Sequence, residues 1–299
     1  MIATSPSAEN VSVLDRSRLL ELEPQSFRAQ FPHQPFLIKH NLVGHPLFSI
    51  ERLLELAKRL PEKNVEYSAG NIPVDMGNQL SPRTGLSPDE TIRRIQEARS
   101  WMVLKYVEND ADYRRLLDQC LDEVKELSEA MVPGMCQREG FIFLTSPNSV
   151  TPFHLDPEHN FLLQVRGRKQ VSIFDPHQSE VITEADIEQG LFGKIRNLVY
   201  KEEFQQKGRL FELDPGMGLH FPLVAPHWVK NLDNVSISFS ITFRSRDSER
   251  RATLHQLNSR LRARGMNPAP VGRSPIRDTV KYQGARVMRR FRRVLGRDS

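Results

Sequence analysis

The sequence predicts a mainly β fold with helices on both sides of it, and three features carry that expectation. From Gly140 onward the chain is a succession of short β-rich runs, FIFLTS, VTPFH, NFLLQV, KQVSIF, RLFEL and HFPLV, separated by turn residues. The last run, NVSISFSITF, alternates Val235, Ile237, Phe239, Ile241 and Phe243 with Ser236, Ser238, Ser240 and Thr242, as a strand with one apolar face requires. Before and after this stretch the apolar residues recur at helical spacing. Many short strands parted by turns suggest a sandwich, jelly roll or barrel, in which the hydroxyl face of the last strand meets either solvent or an internal cavity.

Taken in order, the chain divides into an N-terminal segment (1–34), a folded unit (35–245) with its strand-rich core at about 140–245, and a basic helical extension (246–299). PFLIKH at 35–40 reads as a strand, and Phe48 to Leu60 places leucines at helical spacing before Pro61 stops it. Residues 62–86 contain Gly, Pro, Asn and Ser with little periodicity, the pattern of a long loop facing a substrate. Ser87, Pro88 and Glu90 spell a capping box at a helix start, because Ser87 and Glu90 can satisfy each other's free N–H groups. Trp101 to Val107 reads as a strand and Tyr113 to Met131 as an amphipathic helix ending before Pro133. Residues 177–208 carry no recognisable code. At the end, 248–264 and 278–295 read as helices joined by the linker GMNPAPVGRSP, the second carrying Val280, Val287, Met288, Phe291 and Val294 or Leu295 among its arginines.

Composition excludes little but orients the rest. At 38% hydrophobic and 26% charged residues over 299 positions the chain is ordinary for a soluble protein. No apolar run approaches the roughly 20 residues that span a bilayer. The start, MIATSPSAEN, lacks the layout of a secretory signal, and two cysteines, Cys120 and Cys136, are too few for a disulfide framework, so a cytoplasmic, reducing setting is expected. The net charge of +5 conceals an asymmetry: from Arg244 to the end there are 16 basic and 4 acidic residues, leaving 26 basic and 33 acidic before it. A tail of +12 on a body of −7 suggests attraction to an acidic partner, or simply a solvated helix pair.

The chemistry-bearing residues are His154 and Asp156. One residue apart on an extended strand, both side chains leave the same face and can converge on one ion. A third ligand must come from elsewhere, and His227 lies 71 residues beyond Asp156 in FPLVAPHWVKN. Two imidazoles and one carboxylate on one face of an octahedron leave three positions open, which suits a non-haem Fe(II) that must bind a bidentate cosubstrate and O₂ together. HxD alone is a common pattern, and His159 and His220 compete for the same role. His159 sits an odd number of residues from His154 and beside a turn at Pro157, which argues against it as a ligand and leaves it free to face a substrate.

The whole stretch TPFHLDPEHNFLLQVRGRKQVSIFDP resembles the JmjC-type, cupin-like Fe(II)- and 2-oxoglutarate-dependent oxygenases, the asparaginyl-hydroxylase type above all. The resemblance covers about 140–243 well and the earlier portion loosely. It implies a double-stranded β-helix (jelly-roll) core with flanking helices, His154, Asp156 and His227 as metal ligands, and Fe(II), 2-oxoglutarate and O₂ as cofactor and cosubstrates. Family members place a Thr three residues before the first ligand, an Asn six after it and a Lys fifteen after it at the 2-oxoglutarate pocket, and this chain has Thr151, Asn160 and Lys169 at those offsets. LDPGMGLHFPLVAPHWVKN is similar to the family's G-D-x-x-x-x-P segment, with Pro222 five residues before His227 and Met217 in place of the acidic residue. Pro222 and the resemblance together choose His227 over His220.

Without the resemblance, Lys169 reads rather as a solvated residue beside Arg166 and Arg168; the matched offset reverses this, and the resemblance implies a buried ammonium that pairs with the far carboxylate of 2-oxoglutarate. Tyr106 is a candidate for the family's cosubstrate tyrosine, with its register open. Trp228 and Cys136 are expected in the core. The implied activity is hydroxylation of a C–H bond in a protein side chain or a small molecule with release of succinate and CO₂. Demethylation is disfavoured by the lack of a zinc-finger or reader module. A non-catalytic binding or regulatory module, or a cupin-type isomerase or hydrolase, is the alternative. Family analogy also raises a homodimer through the C-terminal helices.

Overall fold

The structure, a computed structural model, describes residues 18–77, 79–193 and 197–294, with side chains as far as Met288. The chain runs β1 (Leu20–Glu21), α1 (Pro24–Gln30), β2 (Phe36–His40), α2 (Ile50–Arg59), β3 (Val65–Ala69), α3 (Pro88–Arg93), β4 (Ser100–Lys105) and α4 (Ala111–Ser128). The strand-rich part follows as β5 (Cys136–Thr145), β6 (Val150–His154), β7 (His159–Arg166), β8 (Lys169–Ile173), α5 (Glu184–Phe192), β9 (Arg209–Leu213), β10 (Met217–Phe221), β11 (His227–Asn231) and β12 (Ser236–Arg244). Helices α6 (Arg246–Arg262) and α7 (Pro275–Val294) close it.

Two antiparallel sheets make the jelly-roll core: an eight-stranded sheet in the order β1-β2-β10-β7-β12-β5-β4-β3 and a four-stranded sheet in the order β6-β11-β8-β9. The mainly β fold expected from the alternating runs is the observed one, and the packing shows why the alternation was needed. On β12, Ile237, Phe239, Ile241 and Phe243 are fully buried under a helical layer that includes Tyr113, Leu117, Cys120 and Val124 of α4. Leu20, Phe27 and Phe31 from the N-terminal segment join the same core, and Glu123 of α4 holds that segment by accepting the N–H groups of Leu19 and Leu20 at 2.9 and 2.8 Å.

The other face of the large sheet meets the small one. Leu162, Leu219 and Phe221 turn away from the helical layer and cluster with Val171, Ile173 and Leu213 of the small sheet. The hydroxyls of β12 share that inner face and are buried: Gln164 Nε2 donates to Ser236 Oγ (2.9 Å), while Ser238 Oγ donates to Gln164 Oε1 and Ser240 Oγ to Asn160 Oδ1, both at 2.7 Å. The solvent alternative for this face therefore fails, because the buried serine hydroxyls find their partners in the amides of β7, and Thr242 Oγ1 donates to the Glu139 carbonyl of β5 at 3.1 Å.

Other expectations need correcting. Residues 62–86 are not one long loop: β3 lies within them and pairs with β4 from Val65↔Leu104 to Ala69↔Ser100. Asn78, in the same stretch, lies outside the described residues. Residues 177–208 contain α5, which opens with a Thr183–Asp186 capping box. β11 completes the small sheet although no run in the sequence singled it out. Cys136 is exposed at the start of β5, whereas Cys120 is buried. The Ser87–Glu90 capping box forms as expected, and the C-terminal helices form too, although the Phe291 and Val294 side chains and Leu295 lie outside the described residues. Among the described residues no helix is long and apolar enough to cross a membrane.

Candidate metal centre and inner pocket

Strand register brings the two histidines together. β6 and β11 are antiparallel neighbours in which His154 pairs directly with His227, so their rings lie with centroids 4.2 Å apart. Asp156, two residues past His154, puts Oδ2 3.7 Å from His227 Nε2, and one ligand atom from each of the three lies within 4.8 Å of the others. A turn before β11 secures this arrangement: the N–H of Val224, whose φ of 53° is unusual for a β-branched residue, donates to the Asp156 carbonyl at 3.0 Å.

The tautomers follow from the backbone. His154 Nδ1 lies 2.7 Å from the Pro152 carbonyl and His227 Nδ1 lies 3.0 Å from the Ala225 carbonyl. A carbonyl can only accept, so Nδ1 carries the proton in both rings and each Nε2 presents a lone pair. Burial, reinforced by His154 and opposed by Asp156 and the Ala225 carbonyl, pushes the His227 pKa down to about 4, so this ring is neutral at pH 7. Outside the triad, Glu158 is pushed up to about 7 by burial and by the Asp156 charge, with Arg244 opposing at 2.9 Å.

His159 and His220 are not part of the cluster, and strand alternation explains both. His159 immediately precedes the inward-facing Asn160, so it turns to the helical layer and stacks on Phe243 with centroids 4.9 Å apart. The expectation that it faces a substrate is wrong: it is 1% exposed. His220 sits between inward Leu219 and Phe221 and lies among Phe31, Phe36 and Phe161, with Nδ1 on the Gln34 carbonyl at 3.0 Å. Trp228, next to His227, is buried in the apolar cluster under α5, as expected of a core residue.

The other three sequence candidates face the space between the same two sheets. β11 is flanked by β6 and β8, with Val229 pairing with Thr151 and Asn231 with Lys169. Cross-strand partners point the same way, so Thr151 and Lys169 share the face of His227. Asn160 reaches that space from the opposing sheet, its Oδ1 held by Ser240. Lys169 is 3% exposed, and among the described residues no carboxylate forms an ion pair with it. Burial alone pushes its pKa down to about 7. A group so placed is costly until an anion joins it, so Lys169 on this inner face fits an anionic ligand such as a dicarboxylate.

Trp101, not singled out from the sequence, joins these residues through Thr151. Its Nε1–H donates to Thr151 Oγ1 at 2.8 Å, which leaves the Thr151 hydroxyl proton free to point at an acceptor in the pocket. Tyr106, the candidate raised from the sequence, lies beyond the other end of β4, with a φ of 56° and its ring against Phe141, and is 38% exposed. The signal for Trp101 was present: in WMVLKYV, Met102 and Leu104 belong to the helical layer, which sends Trp101 to the inner face.

A two-sheet jelly roll with a His, Asp, His cluster at the mouth of its interior defines a cupin-type metal-site fold, and comparison with known proteins agrees. Residues 78–259, more than half of the chain, match the cupin-like domain family, and the chain belongs to that family. The JmjC-type resemblance holds as well. The chain is 24% identical over 235 residues to lysine-specific demethylase 8 of Xenopus tropicalis, covering 68% of this chain and 49% of that protein. It is 34% identical over 107 residues to JmjC domain-containing protein D of Dictyostelium discoideum, covering 33% and 23%. It thus spans about half or less of the length of these relatives. Among solved structures it is similar to Escherichia coli YcfD, with a TM-score of 0.52 at 16% identity over 90% of this chain and 68% of that one. YcfD, described as a ribosomal oxygenase, has also been solved with cobalt and 2-oxoglutarate, and that complex matches with a TM-score of 0.52 at 17% identity over 90% and 67%. At such identities the likeness carries the fold.

Proposed function

We propose that this chain is an Fe(II)- and 2-oxoglutarate-dependent oxygenase that hydroxylates a C–H bond. The balanced reaction is substrate C–H, O₂ and 2-oxoglutarate giving C–OH, succinate and CO₂. The observation that carries the reading is Lys169, a buried amine with no carboxylate partner among the described residues, on the same inner face as a cluster of three potential metal donors. The cobalt and 2-oxoglutarate bound by YcfD support it.

His154, Asp156 and His227 would hold the iron, which supplies the oxygen-activating redox chemistry when bound. The Nδ1–H bonds to Pro152 and Ala225 fix both imidazoles with Nε2 presented. Lys169 takes up a proton and pairs with the distal carboxylate of 2-oxoglutarate, Thr151 donates its hydroxyl proton to the same group, and Asn160 offers its amide from the opposite wall. Leu162, Val171, Phe221 and Ala225 line the cluster between the sheets and keep water from the reacting centre.

The substrate in this reading is a protein side chain or a small molecule, and the reaction is hydroxylation rather than demethylation. The exposed Ile276, Val280, Val287 and Met288 on α7 support a homodimer contact through the C-terminal helices. The test is anaerobic loading with Fe(II) and 2-oxoglutarate, admission of air, and mass spectrometry for succinate and for a +16 Da product in lysate. Wild type makes succinate and His154→Ala does not. Equal succinate from the two proteins would overturn the metal assignment, and tight iron binding without succinate would favour an isomerase, a hydrolase or a non-catalytic module.

A further inference from the structure

A second donor cluster lies away from the jelly-roll mouth, at the contact of α5 with α6. Glu184 and Glu188 occupy successive turns of one face of α5, His255 faces them from α6, and one ligand atom of each lies within 4.8 Å of the others. The acidic pair alone would mean little. The second observation is His255: its side chain is 6% exposed, its Nδ1 has no hydrogen-bond partner, and that atom is aimed at Glu184 Oε2 from 3.7 Å. This separation is too long for a hydrogen bond. It is close to the roughly 3.4 Å that separates two ligands of a tetrahedral ion with bonds of about 2.0–2.1 Å.

We propose that Glu184, Glu188 and His255 form a second divalent metal site, of the carboxylate and imidazole composition that zinc accepts. The His255 Nδ1 has no partner of its own among the described residues, so the neutral ring can turn a lone pair toward the two carboxylates. Arg262 grips Glu188 through Nε at 3.0 Å and an NH2 group at 3.3 Å, which fixes the orientation of that carboxylate in the way outer partners of metal ligands do. Glu184, a quarter exposed, is the route in from solvent.

The site would clamp the α5–α6 contact, and the clamp bears on the first cluster. A Cβ built on Gly190 of α5 would lie 3.0 Å from Leu155 Cγ, and Leu155 is the residue between His154 and Asp156. Zinc at the second site therefore holds in place the helix that backs the HxD strand.

The experiment uses chelator-stripped full-length protein and Zn²⁺ alone. Wild type is expected to bind two equivalents in equilibrium dialysis, and a His154→Ala/Asp156→Ala protein one. In that background Glu184→Gln, which keeps the side-chain shape, and His255→Gln should each weaken the remaining zinc at least tenfold. On the unmutated fold, ¹⁵N-histidine NMR should show zinc shifting the His255 Nδ1 resonance, so a variant that failed to fold would not decide the matter. The proposal is overturned if the double variant binds no zinc, or if the His255 resonance is unmoved at saturation. One equivalent in both wild type and the double variant would instead count against the His154, Asp156, His227 assignment and leave this one standing.

Discussion

Replacing Lys169 by methionine separates what this residue costs the fold from what it does for the pocket. Its pKa is lowered from an ordinary 10.5 to about 7 by burial. At about 1.4 kcal/mol per pH unit, the fold disfavours the charged form by up to about 5 kcal/mol. In the unfolded chain Lys169 keeps its proton up to about pH 10.5, and in the fold only up to about pH 7. Between those values the unfolded state holds the extra proton, so this residue's contribution to stability rises with pH. The penalty is fully present below pH 7 and gone above 10.5. Lys169→Met should therefore stabilise the protein without 2-oxoglutarate by up to about 4 kcal/mol at pH 7 and only about 2 kcal/mol at pH 9. Urea unfolding at the two pH values measures both. Wild type should gain about 2.7 kcal/mol when 2-oxoglutarate and an inert divalent metal are present at a hundred times its Kd, and the variant should gain none. A variant less stable than wild type at pH 7, or one that binds 2-oxoglutarate as tightly, would refute the reasoning.

Two further outcomes follow from the same geometry. Trp101→Phe removes the donor that turns the Thr151 hydroxyl into the pocket, and with it about 1 kcal/mol, so the KM for 2-oxoglutarate should rise about fivefold with kcat little changed in a succinate assay; an unchanged KM would remove Trp101 from the pocket. Phe239→Ala empties a fully buried site on β12 against Phe48 and should cost about 3–5 kcal/mol in denaturant unfolding, whereas a loss below 1 kcal/mol would mean that the helical layer collapses into the gap.

Much of the fold was legible because alternation is a local property. The apolar residues of NVSISFSITF had to share one face whatever sheet received them, and Ser87 with Glu90 had to cap a helix wherever it packed. Elements were lost where the local signal was weak or split. β11 begins with the histidine that was read as a ligand and carries Lys230 and Asn231, so no apolar run announced it. The short β3 lies in a Gly- and Pro-containing stretch, and its pairing with β4 supplies the order that its own sequence lacks. Cys136 was expected inside on its residue type, yet it lies at the exposed start of a ten-residue strand.

The sequence by itself placed the candidate donors: His154 and Asp156 must share a face, and Thr151, Asn160 and Lys169 stand at fixed offsets from them. The tertiary structure decided which distant residues meet them. Register pairs His154 with His227, turns His159 and His220 into the helical layer, sets Trp101 rather than Tyr106 on Thr151, and buries the β12 hydroxyls between the sheets. The physical reason is range. A strand's period is set by its own backbone, but its neighbours are chosen by the burial of apolar faces far apart in the chain, and a one-residue change of register would exchange every inward side chain for an outward one.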